Sequence, residues 1–167
     1  MSAADDDDAI ARSVEALAAA LRQRGWTMCS AESCTGGLIA AACTSLAGSS
    51  DWFERGMVTY SNEAKFELLG VPAALLAAHG AVSAEVACAM SEGALAHSPA
   101  QVSVAVTGIA GPGGATPGKP VGTVWFATAA RGQAAQPTGL LLAGDRAAVR
   151  RQSVLKALQL LLQRLQP

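Results

Sequence analysis

One stretch near the beginning of the chain, residues 26–46, most constrains the fold. A short apolar run from Trp26 to Cys29 leads into a polar turn, and an alanine-rich run then extends from Leu38 to Leu46. This order predicts a strand, a tight turn and a helix. Gly36 and Gly37 open the predicted helix, so its first N–H groups are suited to bind an anion or a developing oxyanion.

The predicted turn is dense in reactive groups. It holds three hydroxyls, a thiol and a carboxylate between Ser30 and Thr35. A purely structural alternative has Thr35 as the N-cap and the glycines serving close packing. Capping does not require Glu32, Ser33 and Cys34 together, so we interpret the turn as part of a functional site.

The rest of the chain alternates between helical and strand patterns. Apolar residues from Ile10 to Leu21 recur at helical spacing and predict a helix over 9–24, after an acidic and disordered tail at 1–8. Asp145 is predicted to cap a final helix. We predict strands at 57–60, 101–107, 121–129 and 139–143. Together these elements predict a single α/β domain over 9–167, an α/β sandwich with a central mixed sheet and helices on its faces.

Composition excludes several classes of protein. Hydrophobic residues make up 51% and charged residues 15%, the net charge is -1, and no basic cluster exceeds Arg150-Arg151, so no nucleic-acid partner is expected. No apolar run is long enough for a membrane span, and the acidic N-terminus does not resemble a signal peptide. We therefore expect a cytoplasmic protein without a membrane partner. The four cysteines form no C-x-x-C pair and the two histidines are far apart, so no metal or other cofactor is expected.

A glycine- and proline-rich segment follows the buried strand pattern that ends at Thr107. Residues 113–119 fit the frame of a P-loop, but Pro120 replaces the Ser/Thr that holds magnesium and a strand pattern follows. Residues 111–116 begin a dinucleotide fingerprint, but Thr116 stands in place of the third glycine. We reject both and expect a functional loop.

Lys65 and Arg146 are the candidate cationic groups. A lysine near hydroxyls acts as a base when its pKa is lowered, and an arginine at a helix start binds phosphate. Spacing alone favours ordinary surface positions for both residues.

Several segments occur in an order that resembles a known family: 31–37, 48–50, 58–62, 106–114, 119–124 and 144–146. They are similar to the C-terminal domain of the CinA (competence/damage-inducible) family, and the resemblance covers about residues 10–165. It implies a single α/β domain that hydrolyses the carboxamide of nicotinamide mononucleotide to nicotinic acid mononucleotide and ammonia, in its stand-alone form. Ala115 and Gly118 depart from the family's loop pattern.

The mechanism that follows is a serine–lysine one. Neither histidine has a suitable polar neighbourhood, which disfavours a Ser-His-Asp triad, and the family pattern makes Lys65 the base. The nucleophile is Ser50 or Ser33. We favour Ser50 slightly, because it precedes the strand that delivers Tyr60 and Lys65.

The other predicted roles concern the substrate. Tyr60 steadies the lysine or relays a proton, and Thr107 holds the carboxamide or the oxyanion. Arg146 binds the substrate phosphate, with the amides of Gly36 and Gly37 as the competing site.

Two other readings stay open. One is an amidohydrolase that uses Cys34, since thiolates at helix N-termini are activated. The other is a catalytically inactive binding module that acts through protein partners. Alanine-rich surfaces and a long final helix lead us to expect a homo-oligomer.

Overall fold

The computed structural model describes residues 3–166. Within that range the chain forms the helices α1 (Ala3–Arg24), α2 (Leu38–Thr44), α3 (Asn62–Leu69), α4 (Ala73–His79), α5 (Ala84–Ala96) and α6 (Arg146–Arg164), and the strands β1 (Met28–Glu32), β2 (Phe53–Val58), β3 (Val102–Gly108), β4 (Thr123–Ala130) and β5 (Gln133–Leu141). A short 3-10 helix, Ser49–Asp51, precedes β2.

The strands form one mixed sheet in the order β2-β1-β3-β4-β5. Strand β1 pairs in parallel with both β2 and β3, whereas β3, β4 and β5 are antiparallel. The carboxyl ends of β1, β2 and β3 therefore meet at one edge of the sheet. In open α/β sheets this is the edge at which ligands bind.

Each face of the sheet packs against its own layer of helices. Val102, Val104 and Val106 of β3 lie in a core shared with α1, α2 and α6. Ala105, on the opposite face of β3, packs in a second core with Val86 and Met90 of α5. Because side chains alternate along a strand, one buried strand supplies both cores. The predicted α/β sandwich with a mixed sheet is confirmed.

Of the tail predicted to be disordered at 1–8, residues 3–8 are helical, and residues 1–2 lie outside the described range. Helix α1 starts at Ala3, six residues before the predicted start, and Asp5 and Asp6 lie in its first turn. Carboxylates are favourable there because the helix N-terminus carries partial positive charge. Asp7 is paired with Arg151 of α6 at 3.1 Å, so this run is tied to the domain.

Two strand boundaries also differ from the prediction. Strand β2 covers Phe53–Val58 where 57–60 was expected, and β5 begins at Gln133 where 139 was expected. Both are the edge strands of the sheet. Edge strands tolerate charged residues and proline, such as Glu54 of β2 and Pro137 of β5, and so lack the apolar pattern on which the prediction relied.

Candidate active site

The turn after β1 carries Ser33 to the centre of the carboxyl edge. The Ser33 N–H donates to the Val106 carbonyl of β3 at 2.9 Å, so the ladder between β1 and β3 fixes the position of this residue. The Ser33 side chain is buried, with 9% of its surface exposed. Its hydroxyl is therefore held in a set position beside the sheet.

Lys65 reaches the same point from α3. Ser61 caps this helix by accepting from the Ala64 N–H at 3.0 Å. Lys65 Nζ lies 3.0 Å from Ser33 Oγ and donates to the Thr59 carbonyl at 2.8 Å. The lysine is 1% exposed, and none of the ion pairs among residues 3–166 includes it.

The surroundings of Lys65 make its charged form less favourable than it is in water. Burial lowers the pKa of the ammonium because water no longer solvates the charge, and the nearby Cys34 thiol opposes this shift only in part. A neutral amine 3.0 Å from a serine hydroxyl can accept its proton. The pair is thus a candidate nucleophile and base.

A cavity of about 230 Å³ opens beside the pair. Its lining comprises Ser33, Cys34, Tyr60, Asn62, Lys65, Ala81, Val82, Thr107, Gly108, Ala110 and Arg146. A groove of about 420 Å³ along α3 and α4 is larger, but neither Ser33 nor Lys65 lines it. The smaller cavity therefore brings together five of the predicted residues, Ser33, Tyr60, Lys65, Thr107 and Arg146.

The structure does not bring Ser50 to this cavity. Ser50 lies in the 3-10 helix before β2, whereas Lys65 follows the other end of that strand. The six residues of β2 span about 20 Å at roughly 3.3 Å per residue. The expectation that Ser50, Tyr60 and Lys65 meet is wrong for Ser50. A residue that precedes a strand and a residue that follows it lie at opposite ends of that strand.

The helix start at Gly36 and Gly37 is not open to an anion. The buried Glu32 carboxylate accepts from the Gly37, Ile39 and Ala40 N–H groups at 2.9–3.0 Å, and from the Thr35 hydroxyl at 2.7 Å. The Gly36 N–H donates to the Ser33 carbonyl. Both predicted amide donors are therefore committed, and Glu32, not Thr35, caps α2.

Tyr60 and Thr107 line the cavity with contacts other than those predicted. The Tyr60 hydroxyl accepts from Arg146 Nη2 at 3.0 Å, and the Thr59 carbonyl, not Tyr60, holds Lys65. Arg146 also donates to the Gly111 carbonyl at 2.8 Å. Thr107 donates its hydroxyl proton to the Ala81 carbonyl at 2.9 Å, so the lone pairs of its oxygen can accept from a ligand.

Cys34 is a poor candidate for an activated thiol. Burial raises the pKa of the Cys34 thiol to about 11, against the smaller opposing effects of its own N–H and of Arg150. At pH 7 such a thiol is ionised in about one molecule in ten thousand. This small ionised fraction makes the Cys34 thiol a weaker candidate than the Ser33 hydroxyl.

Sequence reasoning missed two residues that shape the turn. Glu32 was noticed as part of the turn but not as its cap, and Arg150 of α6, which donates to the Cys34 and Thr35 carbonyls, was not singled out. The signal for Arg150 was its position four residues after Arg146, which places both on one face of a helix.

Residues 3–166 contain neither a metal-binding cluster nor a membrane-spanning helix. No group of three or more His, Cys, Asp or Glu side chains there is arranged to hold a metal ion. None of the helices in that range is long and apolar enough to cross a membrane.

The fold and site define an α/β protein with a buried serine–lysine pair at the carboxyl edge of a mixed sheet. Residues 10–165 match the family model of the CinA C-terminal domain. The chain belongs to this family, as the order of its sequence motifs predicted.

Curated relatives agree with this assignment. The chain is 53% identical over 150 residues to the nicotinamide-nucleotide amidohydrolase PncC of Escherichia coli K12, covering 89% of this chain and 90% of that protein. It is 55% identical over 152 residues to a putative competence-damage inducible protein of Symbiobacterium thermophilum, covering 86% of this chain and 36% of that protein. The chain thus spans about a third of the longer relative and most of the shorter one.

Solved structures show the same fold. The competence/damage inducible protein CihA of Agrobacterium tumefaciens superposes with a TM-score of 0.92 at 43% identity, covering 95% of this chain and 96% of that one. A competence damage-inducible protein A of Klebsiella pneumoniae gives a TM-score of 0.90 at 42% identity, covering 93% and 96%.

Proposed function

We propose that this protein hydrolyses the carboxamide of nicotinamide mononucleotide to nicotinic acid mononucleotide and ammonia, and that Ser33 is its nucleophile and Lys65 its base. The name of the near full-length E. coli relative supports the reaction. The observation that carries the mechanism is the 3.0 Å contact between Lys65 Nζ and Ser33 Oγ in a buried setting.

The first half of the reaction forms an ester on Ser33. Neutral Lys65 takes the hydroxyl proton while Ser33 Oγ attacks the carboxamide carbon, and the carbonyl oxygen becomes an oxyanion. The C–N bond then breaks as Lys65 gives the proton to the leaving nitrogen, which departs as ammonia. Lys65 is neutral again at the end of this step.

The second half releases the acid. A water molecule gives a proton to Lys65 and attacks the ester carbon, and the proton returns to Ser33 Oγ as the ester bond breaks. The acid that is formed, nicotinic acid mononucleotide, loses its carboxyl proton to water or to the released ammonia and leaves with a carboxylate in place of the carboxamide. The enzyme is thereby restored without a group other than the two side chains and water.

The oxyanion requires donors close to Ser33. Within the described chain, neither the Cys34 nor the Thr35 N–H donates a hydrogen bond to another residue, and these are the two residues that follow Ser33 in the sequence. Backbone amides next to a nucleophile are frequent oxyanion donors. We assign them this role in place of Gly36 and Gly37, whose amides are committed.

The remaining cavity residues recognise the substrate in this proposal. Arg146 binds the phosphate through the guanidinium N–H groups that Tyr60 and Gly111 leave free. Thr107 accepts from the carboxamide NH2 group, because its own proton is committed to Ala81. Tyr60 orients the arginine and not the lysine.

The test is ammonia release from nicotinamide mononucleotide by the full chain. Ser33→Ala and Lys65→Ala are each expected to lower kcat by at least about 1,000-fold, because the two side chains act as one unit. Ser50→Ala is the matched serine control and is expected to keep wild-type kcat, as is Cys34→Ser.

Three results would contradict the proposal. Retention of activity in Ser33→Ala excludes the serine mechanism, and loss of activity in Cys34→Ser with intact folding supports a thiol nucleophile instead. No ammonia from the wild-type protein at high enzyme concentration leaves the binding module as the remaining function.

A further inference from the structure

Arg150 of α6 binds the turn that carries the nucleophile. Its Nε donates to the Cys34 carbonyl and its Nη2 donates to the Thr35 carbonyl, both at 3.1 Å. One planar guanidinium thus holds two successive peptide groups, and a lysine cannot reproduce this forked geometry.

The guanidinium is committed to the backbone and not to an acid. Arg150 is half-buried, and no Asp or Glu among residues 3–166 lies within 4.0 Å of it. A half-buried charge without a partner of opposite sign is costly. The two carbonyl dipoles of the turn offset its positive charge here.

The hold on the Cys34 carbonyl fixes the direction of one amide. In a planar trans peptide the carbonyl and the N–H of the following residue point in opposite directions. With the Cys34 carbonyl turned to Arg150, the Thr35 N–H points away from it. Glu32 meanwhile fixes the other end of the turn by binding the Thr35 hydroxyl and the Gly37 N–H.

We infer that Arg150 is a positioning residue that orients the Cys34–Thr35 peptide so that the Thr35 N–H stabilises the oxyanion. This inference rests on the proposed function, since it assigns the arginine to the same serine-based reaction. Arg146, four residues earlier on the same helix, lines the cavity. Helix α6 therefore lines the cavity through Arg146 and holds the turn after the nucleophile through Arg150.

The experiment compares Arg150→Met with Arg151→Met. Arg151 is the matched control, because it is the adjacent arginine of α6 and its partner, Asp7, is exposed. Arg150→Met is expected to lower kcat for nicotinamide mononucleotide about 10- to 100-fold, which is less than the loss of kcat on removing an oxyanion donor altogether. KM is expected to change less than about threefold. The kcat of Arg150→Lys is expected to lie between those of the wild type and Arg150→Met, because a lysine can bind one of the two carbonyls. Thermal melts of each variant separate these effects from unfolding.

A second readout needs no substrate. When Ser33 reacts with a fluorophosphonate probe, Lys65 takes the hydroxyl proton, Oγ forms a bond to phosphorus and fluoride leaves. The phosphoryl oxygen gains negative charge in this step and uses the same amide donors. Slower labelling of Ser33 in Arg150→Met than in Arg151→Met, measured by mass spectrometry, supports the inference.

The outcomes are separable. Equal kcat or equal labelling rates in the two methionine variants overturn the role of Arg150, as does a change confined to KM. If the wild type releases no ammonia yet its Ser33 is labelled, the proposed substrate fails and the labelling rates alone decide the inference. Absence of labelling in the wild type overturns the inference and the serine mechanism together.

Discussion

The buried carboxylate of Glu32 gives the most direct test of how the turn is held. We consider Glu32→Gln, which keeps the shape of the side chain and removes its charge. Oε2 accepts from the Thr35 hydroxyl and from the Gly37 and Ile39 N–H groups, and Oε1 accepts from the Ala40 N–H and, at 3.5 Å, from the Ser30 hydroxyl. An amide oxygen in the Oε2 position keeps three of these bonds, while its NH2 group faces the Ala40 N–H.

The magnitude follows from the change in each bond. Hydrogen bonds to a charged group contribute about 1.5–3 kcal/mol and neutral ones about 0.5–1.5 kcal/mol, so each of the three retained bonds loses about 1 kcal/mol. The partly buried Ala40 N–H is left without an acceptor, which costs at most about 1–3 kcal/mol. Neighbouring bonds are not additive, so we take the lower end and expect a loss of about 4 kcal/mol in the free energy of unfolding.

Urea denaturation followed by circular dichroism measures this loss. It corresponds to a fall in Tm of about 10 °C for a chain of this size. Glu15→Gln is the matched control, because Glu15 is an exposed residue of α1 and its change is expected to stay within about 0.5 kcal/mol. A Glu32→Gln protein within 1 kcal/mol of the wild type, with an unchanged m-value, would refute the reasoning.

Three further predictions concern other parts of the structure. Because burial lowers the pKa of Lys65, the folded chain binds fewer protons than the unfolded chain between the folded and unfolded pKa values of this lysine, and stability rises with pH through that window. Lys65→Met is therefore expected to raise the urea midpoint at pH 7, and this gain should shrink toward pH 10. A gain that stays constant with pH would contradict this. A Cβ at Gly93 would lie 2.0 Å from a backbone oxygen of α3, whereas a Cβ at Gly113 would meet no atom within 4 Å. Gly93→Ala should therefore lower Tm strongly, and Gly113→Ala, the control, should not. Equal melting temperatures of the two variants would contradict this. Iodoacetamide should modify the partly exposed Cys88 before the buried Cys34, which peptide mass spectrometry would measure. Equal rates of alkylation at the two cysteines would disprove the burial argument.

The sequence predicted those elements whose signals are local. Asp145 accepts from an N–H three residues later, as predicted for a cap of the final helix, and Ser61 and Ser83 cap their helices in the same way. The buried strand β3 was recognisable from Val102, Val104 and Val106. These features depend on neighbours within a few residues, so one segment of sequence contains the whole pattern.

The missed features depend on contacts that no short segment contains. Glu32 reaches N–H groups five to eight residues ahead, which is not a local capping pattern, so Gly36 and Gly37 looked free. Ser50 is close to Tyr60 in sequence, but the direction of β2 separates them. The contact between Ser33 and Lys65 spans 32 residues and requires β1 and β2 to run parallel.

The cavity lining has a consequence for the release of product. Among its described residues are two basic side chains, Lys65 and Arg146, and no carboxylate. Hydrolysis replaces a neutral carboxamide by a carboxylate, so the product bears one more negative charge than the substrate at the same position. A site of this sign attracts the product more strongly than the substrate whenever Lys65 is protonated. Product inhibition should therefore deepen as the pH falls and weaken as salt is added, so that acidity slows the departure of the acid as well as the attack, for which Lys65 must be neutral.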